Sequence, residues 1–200
     1  MTYNSKESVQ SLSFAASISA FIEWARSEGI LQDRTYSAMD VGARDGTGTE
    51  LLGTMYGHGS HSPMKLEFKA IVNQEPYESN LCRQIPLLHG AEFITGDIND
   101  DSVMDRIKAN NPDVIICSHM IEHVSNPRFV IESLMSACKV MFLASPWKES
   151  KLKHGTYEHL SRIDWSVVAD GTQFSVKRIL TQWHTQYPYC ECMFACLARK

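Results

Sequence analysis

Short apolar segments that end at a glycine, an acidic residue or a proline recur along the chain, and helical segments separate them. The first five have the length and apolar content of strands, and such a strand–helix alternation builds a parallel sheet with helices on both faces. Two further strands end the sequence with no helix between them, so one of them must run antiparallel. We therefore predict an α/β fold with one doubly wound sheet of seven strands, mostly parallel, with an antiparallel C-terminal strand. The predicted strands span residues 37–42, 68–75, 91–97, 112–120, 139–146, 173–183 and 189–199.

The segments between the strands carry apolar residues at helical spacing, as Phe14 and Ile18 do in the first of them. A chain of 200 residues buries about 70% of its extended surface on folding, which is enough for one ordinary core. We predict a single domain over 1–200, with 1–35 as an N-terminal helical cap and 36–200 as the core. The predicted helices span residues 8–29, 47–57, 77–90, 100–111, 126–138 and 156–170, and the third of them is bent or ends near Pro86.

Composition excludes several classes of protein. With 19 basic and 23 acidic side chains, the chain has a formal charge of −4 and lacks the basic footprint of a nucleic-acid-binding protein. No run reaches the roughly 18 apolar residues that a membrane-spanning helix needs. We expect no signal peptide, because no basic segment precedes the apolar run at 14–24. The six scattered cysteines do not suggest a disulfide framework, and they favour a reducing, cytoplasmic setting.

A glycine-rich turn follows the first strand, where residues 40–48 read DVGARDGTG. Glycines allow a sharp turn and let a ligand approach the backbone. The spacing is not that of a dinucleotide-binding fingerprint, because Leu51 stands where the third glycine belongs, and the lysine of a phosphate-binding loop is missing. The turn by itself is equally typical of a tight connection without a ligand.

Acidic residues at further strand ends make the pattern more specific. Glu75 ends the second strand, Asp97 ends the third, and residues 117–127 after the fourth read CSHMIEHVSNP. Together with the glycine-rich turn, this order resembles the class I S-adenosylmethionine-dependent methyltransferases, over roughly residues 10–200. The resemblance implies a Rossmann-like sheet, S-adenosylmethionine as the cofactor and S-adenosylhomocysteine as the product.

The resemblance also implies which residues contact the nucleoside end of the cofactor. A carboxylate offers two acceptor oxygens for the ribose diol, and Glu75 takes that role. Asp97 accepts a hydrogen bond from the adenine amine, and the backbone N–H of Ile98 donates to a ring nitrogen. Glu67 is a rival to Glu75, because residues 57–67 lengthen the path to the second strand. We prefer Glu75, which follows an apolar run.

By the same resemblance, the glycine-rich turn and the end of the fourth strand contact the methionine end. The backbone at Gly42 and Ala43 faces the amino-acid group of the cofactor. Asp40 either holds the turn or reaches the ammonium group through water. Ser118 and His119 approach the methionine portion and the reacting centre.

Arg44 replaces the middle glycine that is usual in the family's first motif. It places a long cation beside the expected carboxylate of the cofactor, and guanidinium groups match carboxylates in shape. We therefore predict a salt bridge from Arg44 to the cofactor. The alternative is an arginine that points to solvent.

Methyl transfer from a sulfonium is an in-line displacement, so alignment supplies much of the acceleration and no metal is required. An acceptor hydroxyl also needs a general base, most often a histidine. We predict His119 and His154 as the catalytic residues, and we expect Glu122 and His123 to orient their loop. The candidates considered for acid–base or substrate contacts are His119, His123, Trp147, His154, Tyr157 and His159.

Two patterns raise the possibility of a metal site. Residues 154–159 read HGTYEH, which has one residue more than the inverted zinc motif H-x-x-E-H. Cys190, Cys192 and Cys196 fall on one face of the last strand, but no fourth ligand is evident. We therefore predict no metal and read these cysteines as structural.

The leading hypothesis is a cytoplasmic methyltransferase that acts on a small-molecule acceptor: a sugar, a lipid precursor or a natural product. A non-catalytic cofactor- or partner-binding module on the same fold is the alternative. A nucleotide-dependent oxidoreductase is disfavoured by the glycine spacing. For partners, we expect no nucleic acid and no membrane span, and either a monomer or a homodimer.

Overall fold

The computed structural model describes residues 5–149, 153–154, 157–184 and 187–200, with side chains over 11–149, 159–183 and 191–200. The helices are α1 Ser5–Ser27, α2 Thr47–Tyr56, α3 Pro76–Cys82, α4 Asp101–Asn110, α5 Pro127–Ala137 and α6 Trp165–Val168, with 3₁₀ turns at Pro86–Leu88 and Ile121–His123. The strands are β1 Thr35–Val41, β2 Lys65–Asn73, β3 Glu92–Thr95, β4 Val114–Ser118, β5 Val140–Trp147, β6 Lys153–His154, β7 Tyr157–Glu158, β8 Phe174–His184 and β9 Tyr187–Arg199.

The main sheet has seven strands in the order β3-β2-β1-β4-β5-β9-β8. Strands β1 to β5 pair in parallel, whereas β9 is antiparallel to both β5 and β8. The predicted fold class is confirmed. The strand order reverses between β1 and β4, where Val41 pairs with Cys117. In sheets of this kind ligands bind outside the carboxyl ends of the strands at that reversal.

Helices cover both faces of the sheet, so consecutive residues of a central strand are buried on opposite sides. Ile116 packs with Phe14, Ile22 and other residues of one core cluster, on the side of α1 and α2. Ile115 belongs to a second cluster with Ile131 and others, on the side of α4 and α5. This double burial is why the central strands read as continuous apolar runs in the sequence.

Helix α1 packs against strands β5 and β9 of the main sheet. Phe21 faces Phe194 of β9, with ring centroids 6.2 Å apart, and Ile22 and Ala25 are fully buried. The N-terminal part of the helix reaches the carboxyl ends of β1 and β4, where Phe14 is buried. The predicted N-terminal helix is therefore present, with Ser27 as its last residue.

The helix predicted over 156–170 is wrong for the residues described there. The segment holds β7, which pairs with β6, and the single turn of α6, which Asp164 caps by accepting from Ser166 N. The backbone N–H groups of Leu160 and Ser161 donate to the carbonyl of Glu122 at 2.8 and 3.0 Å. These long-range hydrogen bonds hold the backbone outside a helix, and local apolar spacing does not reveal them.

The fifth strand continues past Pro146, where the prediction ended it. Strand β4 pairs with β5 only as far as Ala144, whereas β9 pairs with β5 through Trp147. At Pro146 the strand therefore has a neighbour on one side only. A proline, which has no N–H to donate, is tolerated at such an edge-like position.

Candidate functional site

In the glycine-rich turn after β1, every second residue from 42 to 46 has a left-handed backbone conformation. Gly42 has φ 84°, Arg44 φ 54° and Gly46 φ 81°. A Cβ at Gly46 would lie 2.6 Å from Ile85 Cδ1, so both conformation and space require glycine there. A Cβ at Gly42 would lie 2.9 Å from Met120 Cβ, because the turn packs directly against the loop after β4.

Asn73, the last residue of β2, holds the unusual backbone of Arg44. Its Oδ1 accepts from Arg44 N at 2.8 Å, and its Nδ2 donates to Arg44 O at 3.1 Å. The thiol of Cys82 also donates to Arg44 O at 3.2 Å. A left-handed conformation costs a non-glycine residue roughly 1–2 kcal/mol, which two or three hydrogen bonds can offset. This is how the turn accommodates arginine in place of glycine.

Asp40 lies at the base of the turn with its side chain buried. Thr49 Oγ1 donates to Asp40 Oδ2 at 2.5 Å. Burial raises the pKa of the Asp40 carboxyl to about 6, although the hydrogen bond from Thr49 acts in the opposite direction. A carboxyl group with such a pKa exchanges its proton close to neutral pH, and perturbed groups of this kind are frequent at functional sites.

A cavity of about 40 Å³ lies between the turn, the end of β4 and helix α1. It has room for about three water molecules and is partly open to solvent. Ring centroids of Phe14 and His119 are 3.9 Å apart, so α1 covers part of the cavity. The cavity is lined by Ser11, Phe14, Ala15, Ile18, Asp40, Gly42, Ala43, Arg44, Gly48, Leu52, Ile116, Ser118 and His119.

His119 follows β4 in a left-handed conformation with φ 51°, and its N–H donates to Ala144 O at 2.8 Å. Its Nδ1 lies 3.0 Å from Glu122 Oε1. The second carboxylate oxygen of Glu122 accepts from Ser145 Oγ at 3.1 Å. Burial raises the pKa of the Glu122 carboxyl, but the charge and hydrogen bond of His119 outweigh it and bring this pKa to about 2. Glu122 is thus a buried carboxylate that orients the imidazole of His119.

The acidic residues assigned to the nucleoside end lie at the expected strand ends. Glu75 caps α3 in a capping box, in which it accepts from the backbone of Glu78 and Glu78 Oε2 accepts from Glu75 N at 3.3 Å. Asp97 Oδ1 accepts from the backbone and side-chain nitrogens of Asn99 at 2.9 and 2.8 Å. Glu67 instead lies within β2 and forms an ion pair with Lys69 at 2.5 Å.

Comparison at the sequence level identifies no relative: no protein-family profile matches the chain, and no curated protein matches it. Solved structures do match. Magnesium protoporphyrin IX methyltransferase from Synechocystis, solved with bound SAH, aligns over 100% of this chain and 89% of its own, with 13% identity and a TM-score of 0.62. A putative sarcosine dimethylglycine methyltransferase from Galdieria sulphuraria aligns over 92% of this chain and 84% of its own, with 12% identity and a TM-score of 0.59.

The chain has the class I methyltransferase fold. The resemblance inferred from the motifs is thereby confirmed at the level of the fold. A third structure with this fold, a putative methyltransferase from Haloferax volcanii, was solved in complex with a methyltransferase activator. It aligns over 82% of both chains with 12% identity and a TM-score of 0.60. No helix among the described residues is long and apolar enough to cross a membrane.

Within this class I methyltransferase fold, the structure brings Asp40, the turn, Ser118 and His119 to one cavity. The side chain of His154, the second predicted catalytic residue, lies outside the described residues. Sequence reasoning missed Asn73, Phe14 and Glu149, whose contacts come from distant parts of the chain. Of these three, only Asn73 could have been recognised from the sequence, because it is the polar residue that ends an apolar run.

The described cysteines are consistent with a structural role. Cys192 and Cys196 of β9 are fully buried, and neither is in a disulfide. Burial raises the pKa of the Cys196 thiol to about 12, so it stays protonated at neutral pH. The side chain of Cys190, the third residue of that predicted group, is not among those described.

Proposed function

We propose that this protein is an S-adenosylmethionine-dependent methyltransferase. The observation that carries the proposal is the convergence of Asp40, the glycine-rich turn and the Ser118–His119 strand end at the reversal point of a class I sheet. The Synechocystis methyltransferase with this fold was solved with bound SAH, the demethylated product of that cofactor.

The described residues that line the cavity or lie at neighbouring strand ends match the parts of the cofactor in different degrees. Asp40, Gly42 and Ala43 line the space proposed for the amino-acid group, although the N–H groups of Gly42 and Ala43 already donate to Val72 O at 2.9 and 3.4 Å. Glu75 and Asp97 supply the carboxylates for ribose and adenine at the neighbouring strand ends. When bound, S-adenosylmethionine supplies a methyl group on a positively charged sulfur. The cavity is partly open to solvent, and Phe14 of α1 covers the side next to His119, so we expect α1 to shift when a ligand of this size binds.

His119 is the proposed acid–base residue, because it lines the cavity and Glu122 fixes its orientation. An acceptor hydroxyl oxygen forms a bond to the methyl carbon as the carbon–sulfur bond breaks, and His119 takes the hydroxyl proton. His154 is the second candidate for this role. We propose a small-molecule acceptor, a sugar, lipid precursor or natural product, because the main-sheet elements occupy most of the described chain and leave little for a substrate domain.

Isothermal titration calorimetry with S-adenosylhomocysteine, S-adenosylmethionine and NADH tests the cofactor. We expect the first two to bind and NADH to remain silent. Glu75→Gln keeps an acceptor for the α3 cap but removes one of the two oxygens for the ribose diol, so affinity should fall at least tenfold. The matched control is Glu67→Gln, which should bind normally. Binding of NADH alone, or of no ligand, would overturn the proposal.

A cofactor- or partner-binding module without turnover is the second candidate. The small cavity and the contact between Phe14 and His119 favour it. Turnover separates the two functions: a methyltransferase accumulates S-adenosylhomocysteine with an acceptor from a panel of sugars, lipid precursors and natural products. A binding module binds the cofactor but releases no product with any of them.

A further inference from the structure

A group of imidazole and carboxylate side chains lies beside His119, outside the glycine-rich turn. Glu122 and His123 belong to the 3₁₀ turn after β4, and His159 follows β7. One potential ligand atom from each of the three lies within 4.8 Å of the other two. His123 Nε2 is 4.0 Å from Glu122 Oε1, and the two imidazole rings are 4.8 Å apart between centroids.

Two of the three side chains are held by a second group behind them. Glu149, just beyond β5, contacts Nδ1 of His159, which directs the opposite edge of the ring towards other partners. Ser145 Oγ donates to Oε2 of Glu122, so the Oε1 oxygen faces the histidines. A carboxylate on the far nitrogen of a histidine is the arrangement that orients and strengthens histidine ligands in metal sites.

The group is buried and rich in negative charge. The side chains of Glu122, His159 and Glu149 are 1%, 8% and 6% exposed. Buried charges in proteins are paired or bind metal ions, because desolvation of an unpaired charge is costly. Two carboxyl groups and two imidazoles therefore share one space, and a divalent cation is a partner that suits such a set.

We propose that Glu122, His123 and His159 bind a divalent transition-metal ion, with Zn²⁺ as the ion that fits best. Two imidazoles and one carboxylate form a donor set found in zinc enzymes, whereas Mg²⁺ and Ca²⁺ prefer oxygen ligands. Bond lengths of about 2.0–2.2 Å require ligand atoms roughly 3.3–3.5 Å apart, so the three side chains close in by about 1 Å on binding. Three protein ligands leave a fourth position for water, as in zinc sites that act in catalysis.

The ion would join two segments of the chain that are distant in sequence. His123 and Glu122 belong to the loop after β4, whereas His159 belongs to the segment whose backbone binds the Glu122 carbonyl at Leu160 and Ser161. Metal binding should therefore stabilise the fold, because an ion that binds the native state alone shifts the unfolding equilibrium. This proposal is independent of the proposed cofactor.

The test is a titration of the metal-free protein with Zn²⁺, read by bound zinc after dialysis and by the melting temperature. We expect one zinc per chain and a rise in melting temperature that EDTA reverses. His159→Ala and His123→Ala should weaken Zn²⁺ binding at least 100-fold, whereas the exposed control His89→Ala should bind as the wild type does. Mg²⁺ should give no shift. A wild type that binds no zinc, or a His159→Ala variant that binds it equally well, overturns the proposal.

Two further measurements test the proposal even if the alanine variants do not fold. Glu149→Gln preserves the size of the side chain that orients His159 and should weaken zinc binding by about 10–100-fold. Bound Co²⁺ should show visible d–d bands without the thiolate charge-transfer absorption that cysteine ligands produce. Charge-transfer absorption would place the metal on a cysteine and overturn the proposal, and unchanged affinity in Glu149→Gln would contradict the role of Glu149 behind a metal-bound His159.

Discussion

Asn73 and Arg44 are joined by two hydrogen bonds between one side-chain amide and one backbone residue, at 2.8 and 3.1 Å. The amide of Asn73 is 1% exposed, so it has no access to bulk water as an alternative partner. Each of these hydrogen bonds contributes about 1 kcal/mol, and their loss leaves backbone groups of the turn without a partner. We expect Asn73→Ala to lower the free energy of unfolding by about 2–3 kcal/mol, measured by urea denaturation.

The same pair permits a sharper test through a double-mutant cycle. Glycine adopts a positive φ without strain, so in an Arg44→Gly background the turn depends less on Asn73. The cost of Asn73→Ala should fall by about 1 kcal/mol in that background. The exposed Asn80→Ala is the control and should change stability by less than about 0.5 kcal/mol. An equal cost of Asn73→Ala in both backgrounds would show that the amide does not support the left-handed residue.

Asp40 should make the protein less stable at neutral pH than it is in weak acid. Its pKa is about 6 in the folded state against an ordinary value of 3.8, because burial disfavours its charged form. A carboxyl group whose pKa is raised by folding stabilises the folded protein fully at any pH below its pKa in the unfolded chain. This stabilisation is lost as the pH rises through its pKa in the folded protein. By linkage, Asp40→Asn should be more stable than the wild type by about 3 kcal/mol at pH near 8.

The check on Asp40 is the free energy of unfolding of both proteins across the pH range. The advantage of Asp40→Asn should shrink as pH falls and vanish near pH of about 4. Asp105→Asn, an exposed aspartate of α4, is the control and should follow the wild type. A constant difference between Asp40→Asn and wild type at all pH values would show that the carboxyl group does not titrate in this range.

The sequence predicted the core of this fold well because its signals are local. Strands β1, β4 and β5 are buried on both faces over most of their length, so they stand out as apolar runs between helical segments. Asp40 is the last residue but one of β1, and the glycine-rich turn and His119 directly follow strands, so local patterns also locate these positions, whose roles stay predictions. The predicted boundaries differ at the helix expected over 77–90, where α3 ends at Cys82 and a 3₁₀ turn covers Pro86–Leu88, and by one residue at Pro146, where pairing with β9 extends β5.

The features that sequence reasoning missed depend on contacts between distant segments. The Asn73 amide acts on a residue 29 positions away, and Glu149 acts on a histidine 10 positions away through a contact that folding alone creates. The predicted helix at 156–170 failed for the same reason, because the Glu122 carbonyl holds the backbone of Leu160 and Ser161. Hydrophobic periodicity carries no information about such hydrogen bonds.

Asp113 should show the opposite pH dependence to Asp40. Its carboxylate accepts from Lys139 Nζ at 2.6 Å and from Ser37 N at 3.2 Å. Burial raises its pKa, but the hydrogen bonds from Lys139, Ser37 and Arg34 outweigh it and bring the pKa to about 2. A carboxyl group whose pKa is lowered by folding stabilises the folded protein at any pH above its pKa in the unfolded chain, here 3.8. This stabilisation is lost as the pH falls towards its pKa in the folded protein.

Asp113→Asn should therefore lower the free energy of unfolding by about 2 kcal/mol at neutral pH. The difference from the wild type should disappear as pH falls from about 4 to about 2. Urea denaturation of both proteins at a series of pH values provides the measurement. A variant that matches the wild type at neutral pH would show that these contacts do not stabilise the ionised carboxylate.

Phe14 should control access to the cavity at the strand ends. Its ring lies 3.9 Å from that of His119 between centroids, and it lines the cavity together with Asp40 and the glycine-rich turn. Phe14→Ala removes a ring that covers part of the cavity and should raise the association rate of S-adenosylhomocysteine several-fold in stopped-flow measurements. The variant should also lose about 3–5 kcal/mol of stability, as buried phenylalanines do.

The matched control is Phe21→Ala on the same helix. Phe21 is buried against Phe194 and Trp24 but does not line the cavity, so its removal destabilises α1 without opening the site. If both variants speed association equally, general loosening of α1 explains the effect. If Phe14→Ala alone does so, its ring is the part of α1 that limits entry of the ligand, because it covers the cavity next to His119.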